Sequence, residues 1–283
     1  MSAEVLTAKA AAAEPKPSLA ADRPNASSIG QWWVLTARMV VPSLRNGEVV
    51  MTIVAVVMFA AGWYIPLNNM LGKTSGMSSY AQFLMPLIAL EGISFAAITG
   101  ALRAATDSVK GINRRFDSMP IGTLTPLVAR MSAGAYRCLI GIVAALITGY
   151  VLGFRFYAGW LNAIGFCVLL LLIGMVLSFM SDLLGSYSKN PEATSQVLVL
   201  PQLIFGLLSV GIQPVHMFPH WIQPIVRNQP ISQFVIAMRA FSGDSTPTAG
   251  VSWSTLGPSA AWLIGATIVM VPLSLILLAR KRS

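Results

Sequence analysis

Gly72-Lys73-Thr74 has the ending of a phosphate-binding loop, in which backbone N–H groups and a lysine cradle nucleotide phosphates. That loop also needs a glycine five residues ahead of its Gly-Lys pair, and Leu67 stands there, so the motif fails. His216 and His220 have the spacing of metal ligands on a helix, but Pro219 interrupts such a helix and no carboxylate or thiolate is close in sequence. The expectation is no metal site, with both imidazoles packed at an interface beside Trp221. Asp107, Asp117 and Asp182 are the candidate acid–base or metal groups for a membrane-bound lipid enzyme. Helix capping and pairing with Lys110, Arg114 and Arg115 account for them more simply.

Glu91 differs from these because it stands near the middle of a long apolar run. An ionisable group at such a depth costs roughly 2.5–3.5 kcal/mol on insertion scales, so Glu91 must face protein or water. It serves either a substrate pathway or a subunit interface, or it is a protonated or hydrogen-bonded group that stabilises helix packing. A proton-coupled carrier needs a relay of several such groups, and Glu91 alone disfavours secondary transport. Cys138 and Cys167 each fall in or beside an apolar run and read as small packing residues.

The elements that must position these residues are membrane spans. Of 283 residues, 55% are hydrophobic and 10% charged, with a mean hydropathy of +0.70, well away from the soluble range of about 25% charged. The fold class is an all-α integral membrane protein. Apolar runs predict six transmembrane helices at about 49–67, 82–102, 131–154, 160–180, 197–215 and 259–279. A net charge of +9 does not indicate nucleic acid, because the basic residues flank apolar runs rather than forming an aromatic-interleaved surface. With six spans, fifteen of the nineteen Lys and Arg residues fall on the side of the termini, which predicts a plasma-membrane protein with both termini cytoplasmic.

Residues 1–27 predict a disordered cytoplasmic tail. Residues 28–45 predict an amphipathic interfacial helix, capped by Ser28 with Gln31 completing a capping box. Ile29, Trp33, Val40 and Leu44 lie on one face, Gln31, Arg38 and Arg45 on the other, and Pro42 should bend or end the helix. Residues 46–283 form the transmembrane domain, with a polar cationic loop at 103–126 and an extracellular segment at 216–258. Pro219, Pro224 and Pro230 forbid one straight helix there, so short interfacial or re-entrant helices are expected. Arg130 and Arg137 share a helix face expected at the cytoplasmic headgroups, and Gly149 with Gly153 forms a GxxxG pattern for close helix approach.

Two stretches carry a family resemblance. Asp107-Ser-Val-Lys-Gly111-Ile-Asn113-Arg114-Arg115-Phe116-Asp-Ser-Met119-Pro120 is similar to the loop after the second span of ABC-2 type permeases of the daunorubicin-resistance branch. Phe218-Pro219-His-Trp221-Ile-Gln223-Pro224, with Asn228-Gln229-Pro230 and Met238-Arg239-Ala240, resembles that branch's extracellular segment before the last span. The resemblance spans about residues 29–283 and is strongest to mycobacterial members. It implies an ABC-2 exporter fold and a permease subunit that is not itself an enzyme. Asp107, Gly111, Asn113, Arg114, Arg115, Phe116, Met119 and Pro120 would couple the chain to a nucleotide-binding subunit, with Thr123 to Pro126 starting the next helix. Pro219, Trp221, Pro224, Gln229 and Pro230 would shape the extracellular segment. The implied partners are two copies of a DrrA-like ATPase subunit and a DrrC-like second permease, beside membrane lipids. ATP and Mg would be bound by the partner, with no cofactor on this chain. The implied cargo is a phthiocerol dimycocerosate-type lipid, or an anthracycline-type drug whose efflux confers antibiotic resistance.

Overall fold

The structure, a computed structural model, describes residues 27–71, 76–112, 124–245 and 250–282, with side chains to Ser274. Among these residues nine α-helices form. They are α1 (Ser28–Arg45), α2 (Glu48–Leu71), α3 (Tyr80–Val109), α4 (Thr125–Leu152), α5 (Trp160–Tyr187), α6 (Pro191–Leu207), α7 (Gln223–Asn228), α8 (Pro230–Ser242) and α9 (Trp253–Arg282). A single 3-10 turn, Val215–Met217, lies between α6 and α7.

Helix α3 is the centre of the bundle. Buried residues make up 78% of its apolar stretch, against 6% for α9, and α2, α4, α5, α6 and α8 all pack on it. Small residues make this possible, since helices in lipid associate by close packing rather than by expulsion of water. A Cβ on Gly141 of α4 would lie 2.8 Å from the Gly92 carbonyl of α3, and one on Gly185 of α5 would lie 2.3 Å from the Ala101 carbonyl. Gly149 likewise receives Met85, but Gly153 has no atom near its Cβ direction and ends α4 in a left-handed conformation. The GxxxG pattern therefore divides into one packing glycine and one cap. Cys138 is buried with Sγ 3.5 Å from Ser178 Oγ, and both cysteines are free.

Five helices, α2, α3, α4, α5 and the stretch Trp253–Ser274 of α9, are long and apolar enough to cross a membrane. The expected span at 197–215 corresponds to α6, which starts earlier and stops at Leu207. Asn190 sets its start, with Oδ1 accepting from the N–H groups of Glu192 and Ala193. A partner distant in sequence supports its end: Gln229 Nε2 donates to the carbonyls of Phe205 and Leu208 at 3.0 and 2.6 Å.

At the other limits, α3 and α5 run several residues past their expected ends, so Asp182 lies within a helix rather than in a loop. In α1 the cap is Ser27 instead of Ser28, with Ser27 Oγ accepting from Gly30 N at 3.1 Å. The helix also passes through Pro42 for one further turn to Arg45. Its exposed face carries Ile29, Trp33, Val34, Val41 and Leu44, while Val40 is half-buried. The inner face is fastened to α4 by Trp32 Nε1 donating to Ser132 Oγ at 3.0 Å.

Candidate functional site

Polar side chains collect at three levels of the bundle. At the α1 end, Arg103 of α3 donates to Glu48 at 2.8 Å and to the Met39 carbonyl of α1. Arg130 of α4 meets Asp182 of α5 at 3.3 Å and Ser186 Oγ at 2.9 Å, and Ser108 Oγ donates to the Ser186 carbonyl. Among the described residues Asp182 is thus held by Arg130 rather than by Lys110. Arg137 faces the interior of the bundle. Its guanidinium turns inward over Gly100, where a Cβ would lie 3.0 Å from Nη2, and its buried Nε has no hydrogen-bond partner among the described residues. Arg130 and Arg137 share a face as expected, but that face is turned towards α3 and α5, where Asp182 and glycine make room.

Asp107, half-buried, and Gly111 close this end of α3. Gly111 N donates to the Ser108 carbonyl at 3.1 Å with φ +69°, a left-handed conformation that glycine adopts without strain. Asn113, Arg114, Arg115, Phe116, Met119 and Pro120, with Asp117, lie outside the described residues.

In the interior, Glu91 is 3% exposed and faces protein, not lipid. Gln202 Nε2 of α6 donates to its carboxylate, and Gly206, one turn further along α6, leaves space for Oε1, which a Cβ there would approach to 2.8 Å. Gln202 Oε1 is removed from solvent and has no hydrogen-bond partner among the described residues. Sequence reasoning missed Gln202, although it is the lone polar side chain in the apolar run Val197–Leu207.

At the end away from α1, residues 208–229 are broken into turns, the 3-10 turn and the short α7, as three prolines required. Pro219, Pro224 and Trp221 are exposed, Trp221 by 76%. Pro224 and Pro230 occupy the first turns of α7 and α8, where a missing N–H costs nothing. Gln229 is buried and clamps α6 as described above. Sequence reasoning also missed what Arg239 and Gln82 do. Arg239 donates to the carbonyls of Phe83 (2.7 Å) and Val210 (2.9 Å), with its guanidinium 3.6 Å from the Phe83 ring centroid. Burial pushes this guanidinium down to about 9, so it is still a cation at neutral pH. Gln82 Nε2 donates to the carbonyls of Arg155 and Gly243 at 2.9 and 2.8 Å, and its Oε1 accepts from Arg155 N at 3.1 Å.

His216 and His220 are both exposed, and among the described residues no three His, Cys, Asp or Glu side chains gather to hold a metal. Five apolar helices of spanning length around a buried helix, with ion pairs at one end and broken helices at the other, define a multi-pass membrane protein. Residues 60–276 match the ABC-2 family transporter protein family, and the chain belongs to that family. It is 47% identical over 258 residues, 89% of each chain, to the doxorubicin resistance ABC transporter permease protein DrrB of Mycobacterium tuberculosis. It is 28% identical over 229 residues, 79% of this chain and 80% of the other, to the probable doxorubicin resistance permease DrrC of the same organism. A daunorubicin resistance permease of Streptomyces coeruleorubidus is 27% identical over 162 residues, 56% of each chain. The resemblance carried by the two motifs thus agrees with the family that the whole chain matches.

Proposed function

We propose that this chain is the transmembrane permease subunit of an ATP-driven exporter, moving a complex lipid of the phthiocerol dimycocerosate type or a hydrophobic drug out across the plasma membrane. The observation that carries the reading is the charge asymmetry of the bundle. Arg103, Arg130 and Arg137 gather at the α1 end, beside the Asp107–Gly111 turn from which the cationic loop departs. In this reading the α1 end is cytoplasmic, both termini lie there, and α6 with its clamped turn supplies the sixth crossing. Asp107, Gly111, Asn113, Arg114, Arg115, Phe116, Met119 and Pro120 seat in a nucleotide-binding subunit present in two copies. That subunit binds and hydrolyses ATP with Mg, this chain holds no cofactor, and a DrrC-like permease completes the membrane part. The outward apolar faces of α2, α6 and α9 suit a lateral, hydrocarbon-lined route for long lipids.

A second reading, efflux of an anthracycline-type drug, is favoured by the doxorubicin and daunorubicin resistance in the names of the relatives. The two readings separate on the complex that co-purifies with the chain: stimulation of its ATPase by long-chain lipid supports the first, and by an anthracycline the second. Replacing Arg114 and Arg115 together by Glu is expected to leave ATP hydrolysis running while export stops. Unchanged export at normal expression overturns the coupling assignment.

A further inference from the structure

Helix α6 packs chiefly on α3, and a polar link midway along the two helices joins Gln202 to Glu91. Gln202 Nε2 donates to Oε2 of the buried carboxyl group, whose Oε1 lies over Gly206. Gln202 Oε1, shut off from solvent, has no partner among the described residues. Nor does a cation among them pair with Glu91. At the neighbouring Gly92, α2 and α4 meet α3 through Val56 and the Gly141 backbone, and α5 meets Ile93 through Gly174. Cys138 of α4 is turned to Ser178. The Arg239 guanidinium of α8 is held at the Phe83 carbonyl, about 12 Å back along α3, Arg103 is about 18 Å the other way, and Glu192 is about 15 Å from Gln202 along α6. A carboxylate buried with one hydrogen bond and no counter-ion is costly, and taking up a proton relieves the cost. The orphaned amide oxygen points the same way, because it needs a donor, which a carboxylic acid has and a carboxylate lacks. The need stands whichever way the amide is turned: with its nitrogen and oxygen exchanged, Oε1 would face the carboxyl group acceptor to acceptor.

We propose that Glu91 is held as a neutral carboxylic acid, its O–H donating to Gln202 Oε1 while its other oxygen accepts from Nε2, and that this pair is a proton-operated latch of α6 on α3. Both side chains then use a donor and an acceptor, and no charge stands in hydrocarbon. Loss of the proton to solvent removes the donor, leaves Gln202 Oε1 unpaired beside a charge and frees the middle of α6, whose end stays clamped by Gln229. The inference needs only the packing of α6 on α3 and is independent of what the chain moves.

The test uses the full chain, purified in detergent without ATP or substrate, and infrared difference spectroscopy at neutral pH. The parent is expected to show a protonated-carboxyl C=O band, shifted in deuterium oxide, that Glu91→Gln loses. Gln202→Leu removes the amide, so the band should remain but move to higher frequency, as it does when a carboxyl group loses a hydrogen-bond partner. This second variant keeps the test decisive if Glu91→Gln folds poorly. At a pH high enough to remove the band, the amides of α6 around Gln202 should exchange with deuterium about ten-fold faster in the parent than in Glu91→Gln, which cannot ionise. A carboxyl region identical in the parent and Glu91→Gln overturns the proposal by leaving a charge at Glu91. A band unmoved by Gln202→Leu overturns it by placing the proton away from the amide. Equal exchange of α6 in the parent and Glu91→Gln at the higher pH means that packing alone holds the helix, and overturns the latch.

Discussion

At the end of the bundle away from α1, Gln82, Gln229 and Arg239 hold backbone carbonyls from segments far apart in the chain, whereas at the α1 end Glu48, Arg103, Arg130 and Asp182 chiefly hold one another. The difference matters energetically. A clamped backbone carbonyl has no substitute partner if the clamp is lost, and in lipid no water takes its place. Ion pairs with side chains 15–23% exposed can exchange partners with water or with one another. One end is thus built as an anchor and the other as an adjustable contact, the arrangement a bundle needs if a partner is to move it from one side.

The largest expected effect is at the anchor. Gln82→Ala removes two bonds from Nε2 and one to Oε1, leaving the Arg155 N–H and carbonyl without these partners and the Gly243 carbonyl with only the 3.5 Å bond from Ser242 Oγ. Leaving such groups buried should cost about 3 kcal/mol or more, read as reduced unfolding free energy in detergent. Arg239→Met should act in the same direction, because it frees the Phe83 and Val210 carbonyls. A loss in either variant no larger than that of a surface substitution would remove the distinction between the ends.

What the sequence made legible follows the same division. Spanning helices were readable because each is a local apolar run, and the broken segment around Pro219, Pro224 and Pro230 because proline acts on its own helix. The early end of α6 was not readable, since its last carbonyls are satisfied by Gln229 from a later segment. Nor was the inward turn of Arg137, which depends on the absence of a side chain at Gly100 on a different helix. Glu91 could be singled out by depth alone, but its partner Gln202 could not, because pairing across α3 and α6 is a property of the packed bundle. Of the predicted coupling residues the structure describes only Asp107 and Gly111, and Asp107 lies inside α3, which runs to Val109, past the expected start of the loop at residue 103.

An intermediate effect is expected between the two ends, at Glu91. Glu91→Leu leaves the Gln202 amide buried against hydrocarbon and should destabilise by about 1–3 kcal/mol. Glu91→Gln keeps an acceptor for Gln202 Nε2 and adds a donor able to reach Gln202 Oε1, which now has no described partner, so stability should be retained or improved. If Glu91→Gln were as damaging as Glu91→Leu, the carboxylate itself would matter, and packing would no longer explain the residue.

The smallest effect belongs to the adjustable end and offers the sharpest comparison. A double-mutant cycle of Glu48→Gln and Arg103→Gln should give a coupling energy of about 1 kcal/mol or less. Added salt should reduce it, because partly exposed charges are screened. The Gln82 clamp contains no ionised partner, so its contribution should not change with salt. Arg103 keeps its bond to the Met39 carbonyl when Glu48 is replaced, which limits the damage of the single change and keeps α1 attached. A salt-independent coupling of several kcal/mol would mean that Glu48 and Arg103 are locked as firmly as the far end. The α1 end would then move only as a rigid body, and force from a partner would have to enter through the tilt of whole helices rather than through exchange of ion pairs.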